Sequence, residues 1–369
     1  MAKRASVSPD LYGSRQAEGA AVLPATAVKT GMRRLSWADY AKGIAIILVV
    51  VCHCAEGTLN AASSLPSPAW SVFLDISYAF MVPVFFVVAG WFSERTYQTK
   101  GGAYQLSYVL RAILYPYIVW TVAQTALMIL SKAGNRVPSW ADLPGFLIFG
   151  SMQFWFLRAL VAAYCFQLVL RAVRIGEFAG LAISGAALVL FSLHPNAAPP
   201  SIIHPASHLF YFVAGAFCFR HRLRLSGRAA LRLVAGLGLL SLLALHFLGA
   251  RCDTPFRPVT AMVGIVASLS LCALLPDSWW LSILKLLGRH SLPIYCLHVI
   301  FAAGVRAILF KAGVRNFDVQ VFLGSIAGTV FPLGISICSL GRFEWLFRFP
   351  SGGRNRRCPR EDPAKRDSI

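Results

Sequence analysis

From Gly43 onward the chain alternates between long apolar runs and short polar or basic connections. About twenty apolar residues wound as a helix match the hydrocarbon thickness of a bilayer. The first such run is Gly43 to Ala55, on a helix starting near Ala38. The next four are Ser71 to Phe92, Ala112 to Leu130, Phe154 to Leu170 and Phe178 to Leu193. Ser207 to Phe219, Leu233 to Gly249, Pro258 to Leu275, Ser291 to Phe310 and Val321 to Leu340 follow. The fifth and sixth are short for a span. This pattern predicts an all-α fold, a polytopic membrane helix bundle of about ten transmembrane helices. Pro83, Pro116 and Pro332 lie inside spans and predict kinks. The Pro-rich, nearly uncharged stretch from Ser192 to Ser207 is expected as an outer connection. No internal repeat is visible.

Composition agrees with that pattern. Of 369 residues, 57% are hydrophobic and only 14% charged, too little polar surface for a water-facing fold. The formal net charge of +20 raises nucleic-acid binding as a partner class. The positions of the charges argue against it, because they fall between apolar segments and at both ends rather than in one patch. With the N-terminus inside, the outer loops hold only Lys132, Arg136, Arg251, Arg257, Lys311 and Arg315 out of 35 Lys+Arg. A missed or invented span would destroy that asymmetry, so the charges predict both termini in the cytoplasm. The expected organisation is a disordered tail over 1–36, a membrane domain over 37–345 and a basic tail over 346–369. Nothing resembles a cleavable signal peptide. Most cysteines sit in apolar runs and read as packing residues. Cys52 and Cys54, flanking His53, are too close for the usual zinc spacing, so no metal site is expected.

Titratable side chains at membrane depth are costly and therefore candidates for function. Lys42 and His53 are eleven residues apart, close to three helical turns, so they share one face roughly 16 Å apart along the axis. Glu56 follows His53 by three positions on a neighbouring part of that face, where a carboxylate holds the imidazole in one tautomer. The set offers a cation at the inner mouth and a general base further out. The plainer alternatives are a basic anchor for Lys42 and a hydrogen-bonded core histidine for His53. Asp75 and Arg158, both toward the outer side, are expected to pair, unless Arg158 snorkels. His298, about two turns into the ninth span, and Arg306, near its far end, are weaker candidates. For these a structural ion pair or hydrogen bond competes with catalysis.

The string Trp37-Ala38-Asp39-Tyr40-Ala41-Lys42-Gly43-Ile44, running on to Val51-Cys52-His53, resembles the opening of the acyltransferase-3 family of membrane O-acyltransferases. That family carries a basic residue, ten intervening residues and a histidine in its first helix. Further echoes are Val84 to Phe92, Phe154-Trp155-Phe156-Leu157, and Ser291 to His298, similar to the family's late Tyr-x-x-His element. The opening is most similar to the fucose 4-O-acetylase branch, which includes acetyltransferases acting on nodulation-factor fucose. One departure is that Arg111 has Tyr108 and Leu114 three positions to either side, where many members carry Arg-x-x-Arg.

The resemblance implies transfer of an acetyl group from acetyl-CoA to a sugar hydroxyl of a surface or secreted glycan. Taken with the titratable residues above, it puts forward His53 and Glu56 as catalytic residues, Lys42 and Arg111 as donor-binding residues, and Arg158, Tyr295, His298 and Asp75 as substrate or structural candidates. Arg158, Trp155 and Tyr295 are candidate donors to the oxyanion. The expected partners are acetyl-CoA, a carbohydrate or lipid-linked glycan acceptor and the lipid bilayer, with no bound cofactor and no nucleic acid. The expected location is a bacterial inner membrane. A glycan or lipid-linked sugar transporter without acyl transfer, and an inactive assembly scaffold, remain as alternatives.

Overall fold

The computed structural model describes residues 35–61, 67–132, 137–150, 152–223, 227–249, 255–338 and 344–350. The expected N-terminal tail up to residue 34 and most of the C-terminal tail lie outside these residues, while Ser36, expected in that tail, already belongs to the first helix. Twelve α-helices follow in order among them. They are α1 (Ser36–Asn60), α2 (Pro68–Val109), α3 (Tyr115–Ser131), α4 (Leu143–Phe149), α5 (Trp155–Ala172), α6 (Glu177–Leu193), α7 (Pro200–Arg220), α8 (Arg228–Phe247), α9 (Arg257–Leu274), α10 (Ser282–Arg289), α11 (Ser291–Lys311) and α12 (Phe317–Cys338). Among the described residues, eight helical stretches are long and apolar enough to cross a membrane. One of these, Pro68–Ser131, carries both the second and third expected segments, and α6 is apolar but shorter at 17 residues. Each of the ten apolar runs is helical over most of its described residues, and the protein is a polytopic helical bundle.

Helix α1 is the hub, packed against α2, α9, α10, α11 and α12. Its buried residues, among them Tyr40, Ile46, Val50, Cys52 and Ala55, lie on several faces, as a helix enclosed by neighbours requires. A second seam joins α2 to α7, and two glycines make it possible. A methyl added to Gly90 would land on the Phe212 carbonyl, and one on Gly215 would land on that of Val87. Small residues let backbones approach closely where no water drives helices together.

Prolines account for the irregular places. Helix α2 continues well past the expected end at Phe92, bending at Gly101, whose φ of 79° is accessible to glycine. It then passes into a π-helical turn, Leu110–Leu114, in which the Tyr115 N–H reaches the Leu110 carbonyl. The next bond of that pattern would need an N–H from Pro116, which has none. The Phe349 N–H donates to the Arg111 carbonyl instead, at 3.0 Å. Trp120 Nε1 donates to Leu346 O at 2.9 Å and its ring stacks on Phe347. Residues 346–349 are thus strapped onto α3 and the π-helical turn before it.

Two departures from the expected layout matter for the site. Helix α7 begins at Pro200, inside the stretch expected as a loop, because proline suits the first helical turn. The connection between the eighth and ninth spans forms α10, an amphipathic helix with Leu287 and Gly288 buried and Lys285 and Arg289 on its polar side. It docks on α1 where Gly43 faces the Leu284 carbonyl and Gly288 faces that of Asp39.

Candidate active site

His53 lies on the half of α1 remote from Lys42, with its side chain 27% exposed. Its Nδ1 is 3.4 Å from Glu56 Oε2, which also accepts a hydrogen bond from the Tyr78 hydroxyl of α2 at 3.1 Å. A carboxylate accepts only, so this contact assigns the imidazole proton to Nδ1 and leaves Nε2 as the basic nitrogen. The carboxylate is itself held between two helices. His53 therefore has the arrangement of a base oriented by a third group.

The structure brings His298 of α11 to the same place, its ring centroid 5.3 Å from that of His53. His298 is fully buried. Its Nδ1 lies 2.8 Å from Tyr295 O and 3.1 Å from Ile294 O, so it donates into its own helix. Its Nε2 has no hydrogen-bond partner among the described residues. Two imidazoles thus stand together, one half-open and one sealed. Tyr295 adjoins them with its ring 6.1 Å from His298, and its hydroxyl donates to the Gln153 carbonyl ahead of α5. From Tyr295 the ring contacts pass through Phe156, Phe86 and His208 to Trp155, an aromatic wall shared by α2, α5, α7 and α11.

At the other end of α1, Lys42 Nζ bonds Asp39 Oδ1 at 3.1 Å, and Arg289 of α10 reaches Asp39 Oδ2 at 3.2 Å. Asp39 is 4% exposed, so one buried carboxylate pins two cations at this mouth. Lys285 adds a third, held by Asp277 at 3.0 Å in a hydrogen bond that raises its pKa above the usual lysine value. Arg111, expected beside Lys42 as a donor ligand, is exposed on the π-helical turn.

The expected pairing of Asp75 with Arg158 does not form. Asp75 Oδ2 is 3.4 Å from His246 Nδ1 on α8. Arg158 instead donates to the Ser201 carbonyl of α7. The reason is Pro205, which lies four residues after Ser201 and offers it no N–H. In an apolar setting that carbonyl needs another donor, and Arg158 supplies it. This gives Arg158 a structural role. Arg158→Leu is expected to cost about 1–3 kcal/mol of stability by stranding that carbonyl. In a Pro205→Ala background the restored N–H takes over the carbonyl, and the cost shrinks. Thermal unfolding of the four purified proteins in detergent measures the coupling. Equal losses in both backgrounds would refute the assignment.

Arg306 of α11 lies across α1 at Gly57, one turn beyond His53, where a methyl on Gly57 would strike its guanidinium. Among the described residues it has no carboxylate within ion-pair distance. A buried network was not anticipated at all. Glu94 of α2, 3% exposed, is paired with Arg171 of α5 and joined by Gln167, Ser93 and Gln105. Its sequence signal is a glutamate directly behind the apolar run that ends at Phe92.

A family model described as an acyltransferase domain matches residues 35–340, which takes in every helix just described. No curated protein and no solved structure matches the chain.

Proposed function

The chain belongs to the acyltransferase-3 family, and from that premise we propose that it moves an acetyl group from acetyl-CoA to a neutral sugar hydroxyl of a surface or secreted glycan. The observation that carries this reading is the His53–Glu56–Tyr78 arrangement on the face of α1 that also bears Lys42. The acceptor hydroxyl gives its proton to His53 Nε2 as its oxygen attacks the thioester carbonyl. Glu56 keeps Nδ1 protonated and balances the imidazolium that results. The tetrahedral oxyanion collapses with loss of CoA as thiolate, and the proton on His53 passes to that leaving group. Arg306, a cation one turn from His53, is suited to the developing negative charge.

Donor and acceptor approach from opposite ends of α1. Lys42, Lys285 and Arg289 form a cationic mouth matched to the phosphates of CoA, and the roughly 16 Å from Lys42 to His53 is spanned by the extended pantetheine arm. With both termini in the cytoplasm, that mouth faces the cytoplasm, where acetyl-CoA is made. The membrane is then a bacterial inner membrane, and fucose is the acceptor type that the Asp39-Tyr40-Ala41-Lys42-Gly43 opening favours.

The test uses purified protein in proteoliposomes, with release of free CoA followed as glycan acceptor is added. Acceptor-dependent CoA release supports acetyl transfer. Movement of labelled glycan across the bilayer with no CoA release would overturn it in favour of transport.

A further inference from the structure

Helix α3 carries a polar stripe that the reaction scheme above does not use. Tyr117, Thr121, Gln124, Thr125 and Met128 recur at the spacing of one helix face, and the first four are buried in an otherwise apolar helix. That face borders a cavity of about 260 Å³. Phe146 of α4 and Met152, just ahead of α5, close it from the other side. Tyr117 fixes that wall, because its hydroxyl lies 2.9 Å from Phe146 O and 2.8 Å from Leu147 O, at the carbonyl end of α4.

The stripe is not used up by packing. Thr121 is 1% exposed and its Oγ1 has no hydrogen-bond partner among the described residues. Thr58 and Ser184 bond back to the preceding turn, to Cys54 O and Gly180 O, whereas Ser270 Oγ of α9, like that of Thr121, does not. The Gln124 side-chain oxygen accepts from Gln153 Nε2 at 2.7 Å. Its own Nε2 faces the Met152 sulfur at 3.1 Å, a weak acceptor, and Gln153 Oε1 at 3.5 Å. A buried hydroxyl without a partner and an amide N–H with only weak or distant acceptors thus belong to the residues that line the cavity.

We infer that this cavity is the subsite that holds one neutral sugar ring of the acceptor. The inference rests on the acyl-transfer reading and names the acceptor chemistry. No charged side chain lines the cavity among the described residues, and Arg158, whose Nε lies 3.2 Å from where a methyl on Gly150 would sit, already donates to the Ser201 carbonyl, which suits a neutral ligand. Phe146, Met128 and Met152 provide apolar surface for the C–H face of a sugar, while Thr121 and Gln124 meet its hydroxyls. The volume falls near the roughly 300 Å³ lower end of small-molecule sites, which suits one ring rather than an extended chain. Its location is also apt. The Gln124–Gln153 wall backs onto Tyr295, and Tyr295 adjoins the His298–His53 pair.

The test measures binding of methyl α-L-fucoside and methyl glucuronide to the full chain in detergent by saturation-transfer NMR. The proteins are wild type, Thr121→Val and Gln124→Leu. Acetyl-CoA turnover is assayed on the same samples. The fucoside is expected to bind and the glucuronide not to. Thr121→Val keeps the side-chain shape, so its loss of about 10-fold in affinity reports the lost hydrogen bond rather than misfolding. Fucoside binding unchanged in both variants, or equal binding of the glucuronide, would overturn the subsite. Absence of fucoside binding in a wild type that turns over acetyl-CoA would overturn the subsite alone. Thr121-dependent fucoside binding without any acetyl-CoA turnover would support the sugar site and sink the acyl-transfer reading.

Discussion

His53→Ala is expected to lower the rate of CoA release by about two to four orders of magnitude, the usual contribution of a positioned general base. The geometry sets the expectation. Glu56 takes Nδ1 at 3.4 Å, so Nε2 is the nitrogen open to an acceptor hydroxyl. His53 is only partly buried, and its loss creates no sealed cavity, so the variant should accumulate normally. His53→Gln separates base chemistry from polar contact, since an amide hydrogen-bonds but does not take up a proton near neutrality. Both variants should be equally slow. Recovery of most of the rate by glutamine would show that His53 positions substrate without acting as a base.

The largest structural effect is expected from Arg171→Leu, at about 3–5 kcal/mol, the cost of leaving a buried charge without its partner. Glu94 lies between α2 and α5, and its carboxylate accepts from Arg171 and from Gln167 at 3.3 Å. The Arg171 guanidinium also lies 3.6 Å over the Tyr97 ring, so a leucine forfeits a cation–π contact as well. The double variant Glu94→Gln/Arg171→Leu removes the stranded charge and is expected to recover much of the loss. Midpoints of thermal unfolding in detergent check this order. A single variant as stable as wild type would mean that Glu94 is solvated rather than sealed by Arg171.

The apolar runs were readable because a bilayer imposes one segment length on every helix that crosses it. Where the chain leaves that constraint, the reading fails for identifiable reasons. Helix α10 is too short for a span, and its lysine and arginine resemble a basic loop, although Leu287 and Gly288 are what dock on α1. Helix α7 starts among prolines because proline is compatible with a first turn, which composition alone does not distinguish from a loop.

Within the site, the contacts inside α1 followed from helical period: Lys42 and His53 on one face, and Glu56 within reach of His53. Contacts between distant residues did not. Nothing local in the sequence says that His298 closes on His53, or that Arg289 shares Asp39 with Lys42. Arg158 is instructive, because its partner is a carbonyl that Pro205 leaves open rather than a carboxylate. Charge pairing pointed to Asp75, and a missing backbone donor decided otherwise. The polar stripe of α3 was within reach of the same periodicity argument, but uncharged residues such as Thr121 and Gln124 carry no conspicuous cost and draw no attention until a cavity lies beside them.

The central claim is that α1 carries an acetyl transfer through His53. Its most direct test follows radiolabel from acetyl-CoA into the glycan fraction of membranes bearing wild type or His53→Ala at equal abundance. Label is expected in the glycan with wild type and only background with the variant. Equal labelling by both would contradict the role of His53, and no labelling by either would contradict acetyl transfer itself.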